Sequence, residues 1–267
     1  MPDDRLSAEE AFHDEWAAQT RPEDVLVRES FEACTAPEHR FILERLGDLK
    51  GRRLLDLGSG LGEASVYFAL RGARVTACDL SSGMLQVVKR VAEHHGVSVA
   101  LHQGMSEKTG LPAESFDFVY AGNLLHHVDV AATLDEVHRL LAPGGVFVSW
   151  DPLAHNPVIA IYRRMAGGMR TPGEHPLRMS ELELFRSRFA EVAYRRFWLF
   201  TLLVFLRFYL EGAHPSKERY WKKILKEADR LGPFYGFLES WDLALLGAFP
   251  WLGRWCWNIV VTARKAA

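Results

Sequence analysis

Residues 53–62 combine one acid with three glycines at a point where a strand should give way to a helix. The apolar run at the start carries Asp56, and glycines follow at alternate positions: Gly58, Gly60 and Gly62. Glycine permits positive φ angles and lets a ligand lie directly against the backbone. The first turn of the following helix offers unpaired N–H groups to an anionic group. The spacing predicts a turn that binds a nucleotide-type cofactor.

A second acid, Asp79, ends the next apolar segment, residues 75–79. A carboxylate at that place can accept hydrogen bonds from both hydroxyls of a ribose. The glycine pattern is D-x-G-x-G-x-G, whereas the dinucleotide fingerprint is G-x-G-x-x-G with its third glycine inside the helix. The two acids therefore indicate a ribose-containing cofactor, and the spacing departs from that of a dinucleotide site.

Four further segments follow in order along the chain. They are Leu80–Leu85 (LSSGML), Phe116–Val119 (FDFV), Asn123–Val128 (NLLHHV) and Leu141–Gly145 (LAPGG). Together with the acid–glycine turn they resemble the motifs of class I S-adenosylmethionine (SAM) methyltransferases, especially the type 11 and ubiquinone-biosynthesis-like enzymes that act on small molecules. The resemblance covers about residues 37–151, and residues 256–263 are similar to the family's last, antiparallel strand.

The resemblance implies that the cofactor is SAM. Its ammonium group suits the acid in the turn, its carboxylate suits the backbone N–H groups, and its ribose suits the second acid. In the family, the Met of the D-L-S-x-x-M-L motif packs on the adenine. The implied cofactor-binding residues are Asp56, Gly58, Ser59, Gly60, Gly62, Asp79, Leu80, Met84, Met105, Ser106 and Asn123.

One segment departs from the family pattern. Many relatives carry Gly-Asp-Ala after the third strand, where the Asp accepts a hydrogen bond from the adenine amino group. The matching residues here are Gly104, Met105, Ser106 and Glu107. A Met side chain is a poor hydrogen-bond acceptor. We expect Ser106 or Glu107 to take the place of the missing Asp.

His126 and His127 follow the fourth predicted strand, at the edge where open α/β sheets bind ligands. Imidazole is the usual base near neutral pH. Either residue could therefore remove a proton from a hydroxyl or an activated carbon acceptor, although a His at this place is more often a helix-start or core residue. Methyl transfer is an in-line displacement in which positioning supplies much of the rate. Amines and thiolates need less help from a base, so O-, C-, N- and S-methylation all remain open.

Four residues outside the cofactor motifs are candidates for contact with the substrate. His13 and Trp16 lie in the first predicted helix, 7–19, which either closes over the cofactor as a lid or simply packs on the sheet. His155 lies in the loop after the fifth strand, and Trp198 lies at the end of a predicted strand. Both are placed to form a substrate wall.

The elements that must position these residues alternate between strands and helices. Strands are predicted at 53–57, 74–79, 97–102, 116–121, 145–150, 191–199 and 256–263. Helices are predicted at 7–19, 37–46, 62–70, 82–95, 130–141 and 180–189. This alternation predicts an α/β fold with a mostly parallel sheet. With the family resemblance, we expect a Rossmann-like seven-stranded sheet whose last strand is antiparallel.

The chain divides into three predicted parts. Residues 1–36 form an N-terminal helical lid, residues 37–199 and 256–267 form the SAM-binding core, and residues 200–255 form an apolar helical insert. The insert opens with an apolar run that has one charge, Arg207, and is too short to span a bilayer, which takes about 20 residues. An amphipathic helix with a basic face is predicted from Pro215 onward.

Two interpretations of the insert compete. In the first, it is a cap that packs on the sheet. In the second, the cap also forms a hydrophobic pocket or contacts a membrane, and so reaches a lipophilic substrate. We expect a small lipophilic acceptor such as a lipid, quinone, sterol or polyketide. The sequence does not indicate the oligomeric state.

The composition of the chain bears on its binding partners, its metal content and its location. The 267 residues have a formal net charge of −2, which gives no global basic field for nucleic acid. The three cysteines form no C-x-x-C pair, which argues against a zinc site or a disulfide framework and fits a reducing cytosol. The N-terminal segment has no apolar run of the signal-peptide type. We expect a cytoplasmic protein without a metal, with any membrane contact peripheral and made through the insert.

Two other functions fit part of the pattern. An NAD(P)-dependent oxidoreductase would explain the glycines and Asp79, but not Asp56 or the L-x-P-G-G turn. A non-catalytic partner protein with the SAM-binding fold would explain the motifs without a reaction, and the departure at Met105 leaves room for it.

Overall fold

The structure is a computed structural model that describes residues 13–165, 175–214 and 218–267. Its centre is a single seven-stranded sheet. The strands are β1 (Arg53–Leu57), β2 (Arg74–Asp79), β3 (Ala100–Gln103), β4 (Phe116–Gly122), β5 (Leu141–Pro152), β6 (Glu191–Phe197) and β7 (Asn258–Arg264). Their order is β3-β2-β1-β4-β5-β7-β6, and β7 is antiparallel to both of its neighbours. The predicted Rossmann-like fold class is confirmed.

Helices cover both faces of the sheet. In chain order they are α1 (13–19), α2 (Val27–Glu32), α3 (Pro37–Leu46), α4 (Glu63–Leu70), α5 (Ser82–His94), α6 (Val130–Leu140), α7 (Pro157–Met165), α8 (Leu182–Arg186), α9 (Leu203–Leu210), α10 (Tyr220–Lys226) and α11 (Ala228–Ala248). Short 3-10 turns lie at Pro22–Asp24, Met179–Glu181 and Pro250–Trp255.

Several strand boundaries differ from the predicted ones by a few residues, and the starts of β3 and β5 are two of them. β3 begins at Ala100 and not at residue 97, and β5 begins at Leu141 and not at residue 145. The Pro-Gly-Gly turn was expected to delay β5. Instead Leu141 already pairs with Phe116 of β4, and a register shift between Phe116 and Phe118 absorbs the irregular segment. The first half of the predicted helix 7–19 and the predicted helix start at Pro215 lie outside the described residues.

Alternate residues of each strand face opposite sides of the sheet, so the core has two halves. One half contains Leu54 and Val75 with residues of α2, α3, α4 and α5. The other contains Leu55 and Leu57 with residues of α6 and α8. The buried residues of α9, α10 and α11 belong to the first half. The insert therefore packs on the same face as the N-terminal helices, although about 200 residues separate them.

Polar contacts fix the insert in that position. The Thr35 hydroxyl donates a hydrogen bond to the backbone carbonyl of Ile224 (3.0 Å), and the Arg40 guanidinium pairs with Glu239 (2.5 Å). Asp242 of α11 is 5% exposed and accepts hydrogen bonds from backbone N–H groups just after β6. Burying a carboxylate is tolerated when several donors satisfy it. These contacts tie α10 and α11 to the N-terminal helices and to the segment that follows β6.

Part of the insert's apolar surface remains exposed. In α9, Val204 and Phe208 are buried, whereas Leu206 and Leu210 are 52% and 77% exposed. Among the described residues, no helix is long and apolar enough to cross a membrane.

Candidate active site

A cavity of about 490 Å³ runs along the carboxyl edge of the parallel strands, on the face covered by the N-terminal helices and the insert. It extends from Asp79 on β2, past Asp56 on β1 and Tyr120 on β4, to Trp150 on β5 and Asn258 on β7. Open α/β sheets bind ligands at this edge. The sheet order therefore joins residues that lie about 200 positions apart into one elongated site.

The acid–glycine turn forms one wall of the cavity. Gly58 and Gly60 have φ angles of 72° and 50°, which non-glycine residues rarely adopt. A Cβ atom at Gly58 would lie 2.7 Å from the Cδ1 atom of Leu124, whereas one at Gly60 would meet nothing within 4 Å. The backbone at Gly60 is thus open to a ligand, as the sequence predicts for a cofactor turn.

Asp79 holds this turn in shape. Its Oδ2 atom accepts a hydrogen bond from the Gly60 N–H (2.8 Å), and its Oδ1 atom accepts one from the Ser81 N–H (2.9 Å). An ionised carboxylate has about four acceptor positions. Asp79 can therefore keep both backbone contacts and still accept hydrogen bonds from the hydroxyls of a ribose.

Asp56 lines the cavity beside this turn and is 1% exposed. Its Oδ2 atom accepts a hydrogen bond from the Ser65 hydroxyl at 2.6 Å. Burial raises the pKa of Asp56 to about 7, and the nearby charges of Asp79 and Glu63 add to the increase. A cation bound in the cavity would favour the ionised form of Asp56, because opposite charges stabilise each other.

The sequence reasoning missed Asp14, which lies in α1. Its Oδ1 atom accepts hydrogen bonds from the Ser81 hydroxyl (2.5 Å) and the Gly83 N–H (3.0 Å). This contact fixes α1 to the start of α5, directly after Asp79. The signal that could have revealed it was the Ser-Ser-Gly turn, which presents donors in need of an acceptor.

The segment that departs from the family pattern also lines the cavity. Met105 is 39% exposed, and Ser106 is 8% exposed. The Ser106 hydroxyl donates to Glu107 (3.1 Å), whose other oxygen accepts from the Asp129 N–H (3.3 Å). A hydroxyl and a carboxylate thus stand beside the apolar Met105, and their use at the adenine edge stays a prediction.

His126 is held by a buried carboxylate. Its Nδ1 atom lies 2.9 Å from Oδ1 of Asp151, and its backbone N–H donates to the same oxygen (3.3 Å). Asp151 lies on β5 and is 0% exposed, and burial raises its pKa well above the ordinary value. The centre of the His127 ring lies 4.1 Å from the centre of the His126 ring. Both histidines line the cavity where it passes β4.

This pairing gives His126 the geometry of an oriented base. When Nδ1–H donates to the Asp151 carboxylate, Nε2 is the acceptor nitrogen of the ring. A positive charge on the ring would favour the ionised form of Asp151, so proton uptake at Nε2 would create a buried ion pair with no net charge. The sequence analysis did not single out Asp151, because its partner His126 comes from a different loop.

The far end of the cavity contains a polar group that the sequence reasoning also missed. Glu38 of α3 is 4% exposed, and its Oε1 atom accepts a hydrogen bond from the Asn258 side chain at 2.6 Å. Burial raises the pKa of Glu38 to about 7. Next to it, burial lowers the pKa of His39 to about 3, so its imidazole is neutral. His39 Nε2 lies 3.4 Å from the Tyr120 hydroxyl.

Helices α1 and α10 form the roof. The guanidinium of Arg219 lies 4.4 Å from the centre of the Trp16 ring, a cation–π contact that joins the two helices. Trp221 and Ile224 of α10 also line the cavity. Burial lowers the pKa of Arg219. The lid and the insert therefore meet above the site.

Most of the residues singled out from the sequence line this cavity. They are His13, Trp16, Asp56, Gly58, Ser59, Gly60, Asp79, Leu80, Met105, Ser106, Asn123, His126, His127 and Trp198. Three lie elsewhere. Gly62 begins α4 with φ 87°, and a Cβ there would lie 3.0 Å from Val88, so close packing explains this glycine. Met84 is fully buried in the core, and His155 is exposed.

Burial of Glu38 predicts a pH-dependent cost to stability. The folded-state pKa lies above the ordinary value of 4.5, so stability is greatest while Glu38 is protonated and falls as the pH rises through 7. Glu38→Gln cannot ionise. We expect it to match the wild type at pH 4.5 and to exceed it at pH 8 by about 3 kcal/mol in free energy of unfolding.

Urea unfolding at the two pH values measures this difference. Glu44→Gln is the matched control, because Glu44 lies on the same helix and is exposed. It should show no comparable change. A Glu38→Gln gain that is equal at both pH values would show that folding does not raise the pKa of Glu38.

Comparison with known proteins agrees with the geometry. Residues 55–149 match the family model described as methyltransferase domain. The ubiquinone biosynthesis O-methyltransferase of Alkalilimnicola ehrlichii is 39% identical over 119 residues, which are 44% of this chain and 48% of that enzyme. The enzyme of the same name from Pseudomonas syringae pv. tomato is 37% identical over 118 residues, 43% of this chain and 50% of that enzyme. The chain spans about half the length of these curated relatives.

Solved structures share the fold. The phosphoethanolamine N-methyltransferase 2 of Haemonchus contortus, in complex with S-adenosyl-L-methionine, has a TM-score of 0.57 at 20% identity, covering 85% of this chain and 52% of that one. The [4+2]-cyclase SpnF has a TM-score of 0.56 at 22% identity, covering 85% and 79%. Similarity at this level shows the fold alone, and one fold can host different reactions.

Proposed function

We propose that the chain transfers a methyl group from SAM to a small lipophilic acceptor, because residues 55–149 match the family model described as methyltransferase domain. One observation carries the proposal. A single cavity contains the acid–glycine turn at one end and aromatic side chains under the insert at the other. The first half suits the donor, and the second half suits an apolar acceptor.

The residues present fit SAM. The Ser59 hydroxyl is buried and has no hydrogen-bond partner among the described residues, so it can serve a ligand in the cavity. We propose that Asp79 binds the ribose hydroxyls, that the backbone of Gly58 and Gly60 lies against the amino-acid tail, and that Asp56 faces its ammonium group. Ser106 is the candidate for the adenine edge. When bound, SAM supplies a methyl group on a sulfonium, which is a good leaving group.

His126 is the candidate base. It lies beside β4, between the end of the cavity that contains Asp79 and the end that contains Asn258. Asp151 orients its imidazole, as an acidic partner does in other acid–base sites. Removing a proton from an acceptor hydroxyl or carbon at Nε2 would leave a neutral, buried ion pair. His127 packs against the ring and is the second candidate.

The acceptor half is aromatic. Trp150, Trp198 and Trp257 line it, and Tyr162 of α7 completes the wall. Pockets of this kind bind flat or apolar molecules. The curated relatives are named for ubiquinone biosynthesis, which supports a quinone-like or other lipophilic acceptor. We propose that residues 37–199 and 256–267 hold the donor, with residues 1–36 as lid and 200–255 as acceptor cap.

The cap is expected to act on the acceptor and not on the donor. Trp221 lines the cavity from α10 and is 38% exposed. Trp221→Ala should raise the KM for a lipophilic acceptor about tenfold, because an indole contributes roughly 1–2 kcal/mol when it covers apolar surface. The Kd for SAM should change less than twofold. Trp251→Ala, in the same insert and 57% exposed, is the control. Equal loss of both affinities in Trp221→Ala would mean that the insert is only structural.

Peripheral membrane contact would bring a lipophilic acceptor to this cap. Leu206 and Leu210 expose large apolar surfaces that could enter the headgroup region. Electrostatic attraction would be modest, because Lys223 and Arg230 are already paired with Glu side chains. Cosedimentation with anionic liposomes tests the proposed membrane contact. Protein that stays wholly in the supernatant would refute it.

The reaction itself is tested by incubating the full chain with isotopically labelled SAM and a panel of quinols, phenols and lipids. Formation of S-adenosylhomocysteine (SAH) together with a labelled methyl group on one acceptor supports the proposal. Binding of SAM without turnover on any acceptor would favour a non-catalytic partner protein. Binding of NADH in place of SAM would favour the oxidoreductase.

A further inference from the structure

The Asn258 end of the cavity lies too far from the cofactor turn to belong to it. Three strand spacings separate β1 from β7, because β4 and β5 lie between them. At about 4.8 Å per spacing, Asn258 lies roughly 14 Å along the sheet edge from Asp56. The candidate base His126 lies between these two ends, beside β4. The far end is therefore available to the part of an acceptor that points away from the reacting centre.

Two hydrogen-bond acceptors are concentrated at this end. Glu38 is 4% exposed and Asn258 is 3% exposed, and their side chains are joined by one hydrogen bond of 2.6 Å. That bond uses the Asn258 amide as donor. The Oδ1 atom of Asn258 is buried and has no hydrogen-bond partner among the residues described. Buried polar atoms are nearly always satisfied, so this oxygen calls for a donor from a ligand.

The surroundings of the pair are aromatic and rigid. Trp198 packs against Trp257 (5.9 Å between ring centres) and lines the cavity beside Asn258. Its φ angle is 68°, a conformation that is rare for a bulky side chain. The backbone carbonyl of Trp198 accepts a hydrogen bond from the Trp257 N–H at 3.0 Å, which helps to hold it there. Backbone strain of this kind clusters at ligand sites.

A structural role alone does not explain Glu38. Burial raises its pKa to about 7, so its ionised form is disfavoured in the folded protein near neutral pH. An apolar residue of similar size would pack there without that cost. A titratable group that burial perturbs in this way and that lines a cavity is a candidate for a functional role.

We propose that Glu38 and Asn258 form the recognition site for the end of the acceptor that is not methylated, and that they select an apolar body ending in a hydrogen-bond donor. The inference rests on the proposed function, because the proposed function assigns SAM to the Asp56 end of the cavity. Aromatic walls bind the apolar body, and the two acceptor oxygens bind the donor. A hydroxyl and an ammonium group share this donor chemistry, and the experiment separates them.

The experiment measures binding without turnover. The full chain is saturated with SAH, and Kd values are measured by calorimetry for 2-naphthol, 2-methoxynaphthalene and 2-naphthylmethylamine. The three probes share one apolar body and differ in the donor. At pH 8, above the pKa of about 7 that burial gives Glu38, the wild type should bind 2-naphthol about tenfold more tightly than the methyl ether, since a hydrogen bond to a charged acceptor contributes that much. Tighter binding of the amine would assign the donor as an ammonium group and would also support the site.

Variants locate the preference. Glu38→Gln keeps the shape and removes the charge, and it should reduce the preference for 2-naphthol over the ether to about threefold or less. Glu38→Asp should restore part of it. Glu44→Gln, on the exposed side of the same helix, should behave as the wild type.

An undiminished preference in Glu38→Gln, the absence of any preference in the wild type, or no binding of any probe would overturn the inference. Titration of SAH into the same samples separates the two proposals. Normal SAH binding with a failed naphthol result refutes only the recognition site, whereas absent SAH binding refutes the proposed function.

Discussion

Replacing Asp79 with alanine should weaken SAM binding by about 100-fold. The substitution removes the acceptors proposed for both ribose hydroxyls, and hydrogen bonds to a charged group contribute roughly 1.5–3 kcal/mol each. It also removes the two oxygens that hold the Gly60 and Ser81 N–H groups, so the glycine turn loses its support. Calorimetric titration with SAH measures the effect directly and does not require an acceptor.

The control for Asp79 is an acid at the opposite edge of the sheet. Asp117 accepts hydrogen bonds from the side chain (2.7 Å) and the backbone of Arg53, remote from the cavity. Asp117→Ala should leave the Kd for SAH within about twofold, whatever it does to stability. If Asp79→Ala retained near wild-type affinity for SAH, the ribose assignment would be wrong.

Replacing His126 with glutamine should lower kcat by about 10²–10⁴, the usual contribution of a general base. The Kd for SAH should stay within a few fold, because His126 is proposed to act on the acceptor. Asp151→Asn should lower kcat as well, since the amide cannot stabilise the imidazolium. These values apply to a hydroxyl or carbon acceptor found in the labelled-SAM assay.

His127→Gln and His138→Gln distinguish the base from its neighbours. His138 lies on α6 near Phe189 and does not line the cavity described above, so its replacement should leave kcat unchanged. A larger loss in His127→Gln than in His126→Gln would transfer the base role to His127. A loss below tenfold in both would indicate an acceptor that needs no base, such as an amine or a thiolate.

The sequence predicted the site residues whose role follows from their position in a local motif. The acid–glycine turn and Asp79 are adjacent to strand ends, so their spacing alone places them at the carboxyl edge of the sheet. The alternation of strands and helices is also a local pattern, and it predicted the fold class. The predicted strand boundaries were less accurate where a residue before a turn already pairs with the neighbouring strand, as at the start of β5.

The residues that were missed have partners far away in the chain. Glu38 stands in the first turn of α3, where an acid is typical of a helix N-terminus, and nothing local shows that it meets Asn258. Asp151 likewise meets His126 only because β4 and β5 are neighbours in the sheet. Tertiary contact, and not local propensity, gives these groups their chemistry.

Met84 illustrates the opposite case. The resemblance implied a place against the adenine, whereas its side chain is fully buried between α5 and the sheet, away from the cavity lining. A helix residue five positions after a strand end can face either the ligand or the core. The sequence does not distinguish the two, because Met suits both.

Calorimetric titration of the purified wild-type chain with SAM and with SAH is the sharpest test of the proposed cofactor. We expect each to bind once per chain and the two to compete, while NADH and NADPH produce no heat. Absence of binding by both SAM and SAH at millimolar concentration would refute the proposed function, whatever the aromatic end of the cavity is found to hold.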